Sequence, residues 1–357
     1  MTRKIAFYIT NHGYGHASRN VPIIKKILET CKNITIFIKT APEQASFMRR
    51  NLKEYEDLIV YDINYHDVGL ILNSASYEID TEMQARDIKK YLNNWNSYIE
   101  NECRFLLKGK ISAIISDIIP WVFVAAKKCT IPSILLCNFT WYEMFKEYLP
   151  KDLYLPYYSA YNCADKIFLY TFGNSSILDY YKNVEQVSMV SRRTNQHNVE
   201  TILDKYERPF LFVSVGKSIV MNTKYNVSAF KGTVFTTTGV TLEGDNVIQL
   251  PPDTIHTQDY ICASDYVISK TGWSSLAEIF LNKKRAAIIA RCNNSEDNYV
   301  MQKIKELKCG ISCSFDDLHN INHIIEQLDM INTETMSCFR DDSTRIVSYI
   351  QDVSNLN

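Results

Sequence analysis

Two histidines and two glycines follow the first apolar run of the chain, in the stretch Asn11-His12-Gly13-Tyr14-Gly15-His16. Gly13 and Gly15 permit positive φ and let the backbone approach a ligand closely. His16 stands where a helix is expected to begin, and an imidazole there can take a proton from a hydroxyl group near neutral pH. The other interpretation is an ordinary glycine turn with a histidine at the helix start. The stretch lacks the third glycine of G-x-G-x-x-G, which argues against a dinucleotide cofactor.

A second stretch with binding chemistry is the turn Lys270-Thr271-Gly272-Trp273, followed by a helix predicted from about Ser274. Backbone N–H groups at such a helix start, with the hydroxyls of Ser274 and Ser275, can bind a diphosphate. Glu278, one turn further on, can accept two hydrogen bonds from a ribose. The same residues also fit a capping box, because Ser275-Leu-Ala-Glu278 has the pattern S-x-x-E.

Two further candidates lie at the ends of predicted strands. Gly216, Lys217 and Ser218 form a loop that suits an anionic ligand, although the Walker pattern is missing and an ordinary turn fits equally well. Asp117 could orient His16 or cap the next helix, and the cap is the favoured interpretation of the two.

Strands must position these residues, and the sequence alternates short apolar runs with helical stretches. Continuous apolar runs are typical of parallel strands that are covered by helices on both faces. Strands are predicted at 4–10, 34–38, 58–61, 111–116, 133–137 and 166–170, and again, after a polar stretch at 191–200, at 210–215, 233–238, 246–250, 266–269, 286–290 and 310–315. The fold class we expect is therefore α/β, with two Rossmann-like doubly wound domains facing a cleft.

The composition describes an ordinary globular protein. The 357 residues carry a net charge of −1, with 46% hydrophobic and 22% charged residues, so nothing indicates binding to nucleic acid. No apolar segment is long enough for a signal peptide or a transmembrane helix. We expect a cytoplasmic protein with ten reduced cysteines.

Three motifs together resemble a known superfamily. HGYGHASR (12–19), SDIIPWVFVAAKKCTIPSILLCNFTWYEMF (116–145) and SKTGWSSLAEIF (269–280) are similar to the glycosyltransferase-like region of arabinokinases. More distantly they resemble the GT-B nucleotide-sugar glycosyltransferases. The resemblance spans most of residues 4–312, and the chain ends too early to hold the sugar-kinase domain, so no kinase activity is expected.

The resemblance implies roles for individual residues. It places His16 near the junction of donor and acceptor, Thr271–Ser275 on the diphosphate and Glu278 on the ribose. The donor sugar would lie near Glu296-Asp297-Asn298, where many relatives carry a glutamine or paired glutamates, so the identity of the sugar stays open. The base would contact the main chain near Gln249-Leu250-Pro251.

The polar stretch at 191–200 predicts a domain division, and the resemblance implies what each domain binds. Residues 1–190 would form the acceptor-side domain and residues 191–335 the nucleotide-sugar domain, while a helix within 336–357 packs back on the first domain.

Phe139, Trp141 and Tyr142 follow a strand end, where aromatic rings either stack on an acceptor sugar or pack in the core.

No metal or cofactor is expected. The sequence has no D-x-D motif, and Cys309 and Cys313 bracket a predicted strand, which would hold them about 13 Å apart, too far to share a zinc ion. The helix start near Thr271 would then stabilise the departing diphosphate in place of a metal.

The function we predict is metal-independent transfer of a sugar from a nucleotide diphosphate sugar, most simply a UDP-sugar, to a hydroxyl of an unknown sugar, lipid-linked or protein acceptor. Two alternatives remain. One is hydrolysis of the nucleotide sugar with water as the acceptor, and the other is a non-catalytic module that binds sugar nucleotides.

Overall fold

Two series of strands and helices build two units in this computed structural model, which describes residues 2–71, 79–216, 223–290 and 295–355. Unit 1 comprises Met1–Val187 and Asp342–Asn357, and unit 2 comprises Ser188–Asp341. Each unit has its own sheet.

The sheet of unit 1 has seven strands, all parallel, in the order β3-β2-β1-β4-β5-β6-β7. The strands are β1 (Arg3–Ile9), β2 (Ile34–Thr40), β3 (Ile59–Ile63), β4 (Ala113–Asp117), β5 (Ser133–Cys137), β6 (Lys166–Tyr170) and β7 (Val184–Val187). The central strands are buried on both faces, as their continuous apolar sequences predict.

Helices cover the sheet of unit 1. They are α1 (Gly15–Thr30), α2 (Pro42–Asn51), α3 (Thr81–Gly109), α4 (Trp121–Cys129), α5 (Trp141–Phe145), α6 (Lys151–Tyr161) and α7 (Ile177–Tyr180). The longest, α3, begins where the Asp80 carboxylate accepts a hydrogen bond from Met83 N and ends at Lys110, which has φ +52°.

The strand order of unit 1 places the first glycine loop beside Asp117. The order reverses at β1, whose neighbours are β2 on one side and β4 on the other. Ile9 at the end of β1 pairs with Asp117 at the end of β4. Ligands of open α/β sheets bind at such a reversal, beyond the carboxyl ends of the strands.

The main sheet of unit 2 has six parallel strands in the order β12-β10-β8-β13-β14-β15, and β9 and β11 form a separate parallel pair. The strands are β8 (Phe210–Ser214), β9 (Lys224–Asn226), β10 (Thr233–Thr236), β11 (Thr241–Glu243), β12 (Val247–Gln249), β13 (Tyr266–Lys270), β14 (Arg285–Ile289) and β15 (Ile311–Cys313). This sheet also reverses its order, between β8 and β13, so the loops after these two strands lie next to each other.

The helices of unit 2 are α8 (Gln196–Lys205), α9 (Thr257–Ala263), α10 (Trp273–Leu281), α11 (Ser295–Leu307) and α12 (Ile321–Asp329). The last helix, α13 (Ser343–Val353), belongs to unit 1 and packs against α1, where Gln351 Nε2 donates to Thr30 Oγ1 at 2.9 Å. Among the helices of the described residues, none combines the length and the hydropathy that a membrane span requires.

The predicted α/β class with two doubly wound parallel sheets is confirmed, and the strands predicted at 133–137 and 166–170 have the observed bounds. Three strands were not predicted, namely β7, β9 and β11. Each is only three or four residues long and contains a single buried residue, so it lacks the apolar run by which the other strands were found.

Candidate active site

The glycine loop of unit 1 leads from β1 into α1. Gly13 has φ +72°, a conformation that favours glycine, and a Cβ placed there would meet nothing within 4 Å. Gln44 on α2 donates from Nε2 to Asn11 O at 3.1 Å and to Gly13 O at 3.0 Å. These two hydrogen bonds hold the backbone of the loop against α2. Gly15 is exposed and begins α1, so His16 enters the first helical turn, where it is buried.

Asp117 is the centre of a buried polar cluster. Its Oδ1 lies 2.7 Å from His16 Nδ1 and accepts from Arg19 Nη2 at 2.6 Å. Its Oδ2 accepts from Arg19 Nε and from Asn20 Nδ2, both at 2.7 Å. His16, Arg19 and Asn20 stand three and four residues apart on α1, so they share the face that meets the end of β4.

The interpretation of Asp117 as a helix cap is wrong. Helix α4 starts after Pro120 without any side-chain cap, because both oxygens of Asp117 are already bonded to groups on α1. Burial raises the pKa of Asp117, but the charges and hydrogen bonds of Arg19 and His16 outweigh burial and lower the pKa to about 2. Asp117 is therefore ionised at neutral pH.

The protonation of His16 follows from this contact. Burial lowers the pKa of His16 below its ordinary value, Asp117 opposes this, and the Arg19 charge adds to it, so the ring is neutral near pH 7. A lone pair on Nδ1 would repel the Asp117 carboxylate at 2.7 Å, so we assign the proton to Nδ1. Arg19 Nη2, 2.9 Å from the same nitrogen, then contacts it without donating. The unprotonated nitrogen of His16 is Nε2, which has the form of a general base.

Arg19 ties this cluster to the next strand of the sheet. Its Nη1 donates to Asn138 Oδ1 at 2.5 Å, directly after β5, and its guanidinium lies 5.4 Å from the centre of the Tyr170 ring. Neither Arg19 nor Asn138 was predicted as a site residue. The spacing of three residues from His16 to Arg19 on a helix was the available signal.

Aromatic rings line this part of unit 1. Phe139 meets His16 edge-on at a centroid distance of 5.7 Å, and Trp141 meets both Phe139 and His12 at 5.4 Å. Phe139 and Trp141 are buried, so packing is the correct interpretation for these two rings, while Tyr142 is half-buried.

In unit 2, α10 begins with Gly272 as its N-cap, one residue earlier than predicted, and no side chain caps its first turn. The capping box from Ser275 to Glu278 is not formed, because Ser275 already lies inside the helix. Of the predicted site residues in this segment, four are buried, namely Thr271, Trp273, Ser274 and Glu278.

Glu278 is bound by an arginine that the sequence did not predict. Arg192 donates from Nε to Oε1 at 2.7 Å and from Nη2 to Oε2 at 3.2 Å, and both side chains are buried. Arg192 also donates to Thr257 Oγ1 at 2.9 Å and to the carbonyl oxygen of Ile255. A carboxylate has about four acceptor positions, so this arrangement leaves Glu278 further lone pairs but fixes its orientation.

Lys270 joins the loops that follow β8 and β13. Gly216 has φ +77°, and a Cβ placed there would lie 2.8 Å from Lys270 Nζ. A Cβ on Gly272 would lie 3.6 Å from Lys270 Cε. The lysine side chain therefore crosses both glycines and holds its ammonium group beside Gly216. This residue was also missed as a site residue.

The remaining predicted residues of unit 2 also follow strand ends. Leu250 is buried after β12 and lines a cavity of about 240 Å³ with Thr238, Gly239 and Gln249. Glu296 and Asp297 lie in the first turn of α11, with Asp297 buried and Glu296 half-buried.

Two predicted residues, Lys217 and Ser218, lie outside the described residues. Within the part of the chain that the structure describes, no three His, Cys, Asp or Glu side chains are arranged to hold a metal ion.

No protein-family model matches the chain. Among curated proteins, L-arabinokinase of Arabidopsis thaliana is 23% identical over 333 residues, which cover 88% of this chain and 30% of that protein. The chain thus spans about a third of the length of the curated relative that it matches.

Solved structures resemble the chain over nearly its whole length. Phytolacca americana UGT2, complexed with UDP-2-fluoro-glucose and pterostilbene, has a TM-score of 0.67 at 13% identity and covers 99% of this chain and 100% of its own. UGT89C1 of Arabidopsis thaliana, complexed with UDP, has a TM-score of 0.66 at 10% identity, and the match covers 99% of each chain. The calicheamicin glycosyltransferase CalG4 has a TM-score of 0.66 at 12% identity, and the match covers 99% of this chain and 98% of CalG4. The chain therefore has the GT-B fold, in which these glycosyltransferases are built.

Proposed function

We propose that the protein transfers a sugar from a nucleoside-diphosphate sugar to a hydroxyl group of an acceptor. The observation that carries this proposal is the neutral His16, oriented through Nδ1 by the ionised Asp117. An acceptor hydroxyl would give its proton to His16 Nε2 as its oxygen bonds to the anomeric carbon. The bond from that carbon to the β-phosphate oxygen breaks, and the nucleoside diphosphate leaves with the electron pair.

Unit 2 offers groups that suit the departing diphosphate. The start of α10 presents backbone N–H groups and the positive end of the helix dipole, and Lys270 holds its ammonium beside Gly216 at the same edge of the sheet. Negative charge that develops on the leaving group would be stabilised there without a metal ion. Serine hydroxyls at Ser274 and Ser275 add two further donors.

The nucleoside would lie along the same edge. The cavity at Leu250, of about 240 Å³, has room for a base, and Glu278, oriented by Arg192, would accept hydrogen bonds from ribose hydroxyls. Glu296 and Asp297 would face the donor sugar. UDP-sugars are the donors to test first, because two of the similar structures contain UDP or a UDP-sugar.

The experiment is a panel of UDP-, GDP- and TDP-sugars, each incubated with and without hydroxyl acceptors. Release of nucleotide together with a glycosylated acceptor supports the proposal. Release of nucleotide and free sugar at the same rate with every acceptor would make the protein a hydrolase. Tight nucleotide binding without turnover would make it a binding module and overturn the proposal. The His16→Ala variant measures the background.

A further inference from the structure

A second buried carboxylate of unit 1, Asp67, joins three loops at the carboxyl edge of the sheet. Its Oδ2 accepts from Thr10 Oγ1 at 2.8 Å, directly after β1, and from Trp141 Nε1 at 2.6 Å, at the start of α5. Its Oδ1 accepts from the backbone N–H of Val68 at 2.8 Å, in the loop after β3. Asp67 is only 6% exposed, so its effect on a ligand must pass through the groups that it holds.

Those groups enclose His12. The backbone N–H of His12 donates to Thr10 Oγ1 at 3.4 Å, and its ring meets the Trp141 ring edge-on at 5.4 Å. A Cβ on Gly69 would lie 3.1 Å from His12 Nδ1, so the Asp67 loop packs directly on the imidazole. The ring of His12 in turn lies 6.3 Å from the ring of His16.

The environment of Asp67 differs from that of Asp117. No Lys, Arg or His nitrogen lies within ion-pair distance of Asp67 among the described residues, so only neutral donors hold its carboxylate. The titratable groups that face it are Tyr91 on α3 and Tyr157 and Tyr161 on α6, and burial raises the pKa of each well above 10. They stay neutral at every pH of interest.

We propose that Asp67 is a positioning residue for the acceptor: its ionised carboxylate holds Thr10 and Trp141, which keep His12 in place beside the base His16. This inference rests on the proposed transfer reaction. Protonation would break the arrangement, because a proton on Oδ2 leaves one lone pair for two donors, and a proton on Oδ1 would be a buried donor among groups that are donors themselves.

Asp67 takes up its proton near neutral pH. Burial raises the pKa of Asp67 to about 7, against the lowering effect of its hydrogen bonds. Burial also lowers the pKa of the neighbouring His66, which is therefore neutral there. Activity should consequently be present above pH 7 and fall below it. Protonation of His16 alone would make activity fall only at a more acidic pH.

The test compares kcat/KM for the acceptor, as a function of pH, in the wild type and in Asp67→Asn, Thr10→Val and Trp141→Phe. Thr10→Val and Trp141→Phe each remove one donor to the carboxylate, so each should move the acid limb to higher pH. Asp67→Asn should abolish that limb and raise the acceptor KM about tenfold at pH 8. This factor is the loss expected when the amide gives up one of the hydrogen bonds that the carboxylate accepts from Thr10 and Trp141. The UDP dissociation constant should stay unchanged. The exposed Asp57→Asn is the matched control.

A second readout separates this inference from the proposed function. The indole N–H resonance of Trp141, assigned with Trp141→Phe, should titrate near pH 7 in the wild type and not in Asp67→Asn. Titration without any effect of Asp67→Asn on the acceptor KM or the pH profile would make Asp67 purely structural and overturn the proposal. Absence of transfer in the wild type, with the titration intact, would instead remove the proposed function and leave the contacts of Asp67.

Discussion

Nδ1 of His16 lies 2.7 Å from Oδ1 of Asp117, and the same oxygen accepts a hydrogen bond from Arg19 at 2.6 Å. The carboxylate is thus shared between a neutral ring, which it orients, and a guanidinium, which keeps it ionised. This arrangement yields a histidine whose Nε2 is a base at neutral pH, and whose protonation is opposed by burial and by the nearby positive charge.

His16→Ala should lower kcat by about 10²- to 10⁴-fold, the usual contribution of a general base. The UDP dissociation constant should stay the same, because the groups proposed to bind nucleotide belong to unit 2. Steady-state kinetics and calorimetry measure the two quantities. His197→Ala, at an exposed position of unit 2, is the control, and His12→Ala should affect kcat less than His16→Ala. Turnover near the wild-type level in His16→Ala would rule out this residue as the base.

Asp117→Asn should reduce both rate and stability. The amide no longer fixes the proton on Nδ1 of His16, and it leaves the Arg19 cation buried without an ionised partner, which costs about 3–5 kcal/mol. Chemical denaturation measures the stability loss. The double variant Arg19→Met/Asp117→Asn should recover part of the stability but none of the rate. Recovery of the rate as well would show that Asp117 acts only through Arg19.

Glu278→Gln should weaken UDP binding by about 1–3 kcal/mol, the usual loss for a hydrogen bond to a charged group. Glutamine is the better substitution than alanine, because alanine would remove both of the carboxylate oxygens to which the buried Arg192 donates, whereas glutamine keeps one oxygen acceptor. If Glu278 contacts the ribose, the wild type should bind UDP more tightly than 2′-deoxy-UDP, and Glu278→Gln should bind the two alike. If calorimetry shows the same preference for UDP over 2′-deoxy-UDP in both proteins, Glu278 does not contact the ribose.

Transfer activity should survive a chelator, since Lys270 and the start of α10 are proposed to hold the diphosphate. Initial rates are compared with and without excess EDTA. Lys270→Met should lower the affinity for UDP but not for uridine, and Lys231→Met, at an exposed position of unit 2, should change neither. Loss of activity in EDTA, restored by magnesium or manganese, would show that a metal does this work.

The stability of unit 1 should depend on the ionisation of Asp67. Because burial raises its folded-state pKa to about 7, above the unfolded value near 4, Asp67 contributes stability that is full below pH 4 and is lost as the pH rises through 7. The free energy of unfolding of the wild type relative to Asp67→Asn should therefore fall by up to about 4 kcal/mol between pH 4 and pH 8.

The difference between the two proteins is the quantity to measure, since other groups also titrate. Glu143, whose pKa burial raises to about 7, acts with the same sign, while the lowered pKa of His16 acts with the opposite sign. These contributions are common to both proteins and cancel in the comparison. A constant difference from pH 4 to pH 8 would mean that Asp67 does not change its protonation in this range.

The sequence by itself determined the elements and the loops that carry the site. Apolar runs located β5 and β6 to the residue, because buried parallel strands need apolar side chains on both faces. Glycine spacing after β1 singled out His16, since positive φ at Gly13 is a local property of the chain. These signals need only the residues on either side of them.

Only the tertiary structure decided what the ionisable groups do, because their partners are distant in the chain. Asp117 meets Arg19 across 98 positions, Glu278 meets Arg192 across 86, and Asp67 meets Thr10 across 57. Before the fold is known, Asp117 could as well cap a helix and Glu278 complete a capping box. The order of the strands brings the ends of β1, β4 and β5 together, and the loop after β3 carries Asp67 to Thr10 and Trp141. Burial there makes each carboxylate depend on the donors that the fold supplies.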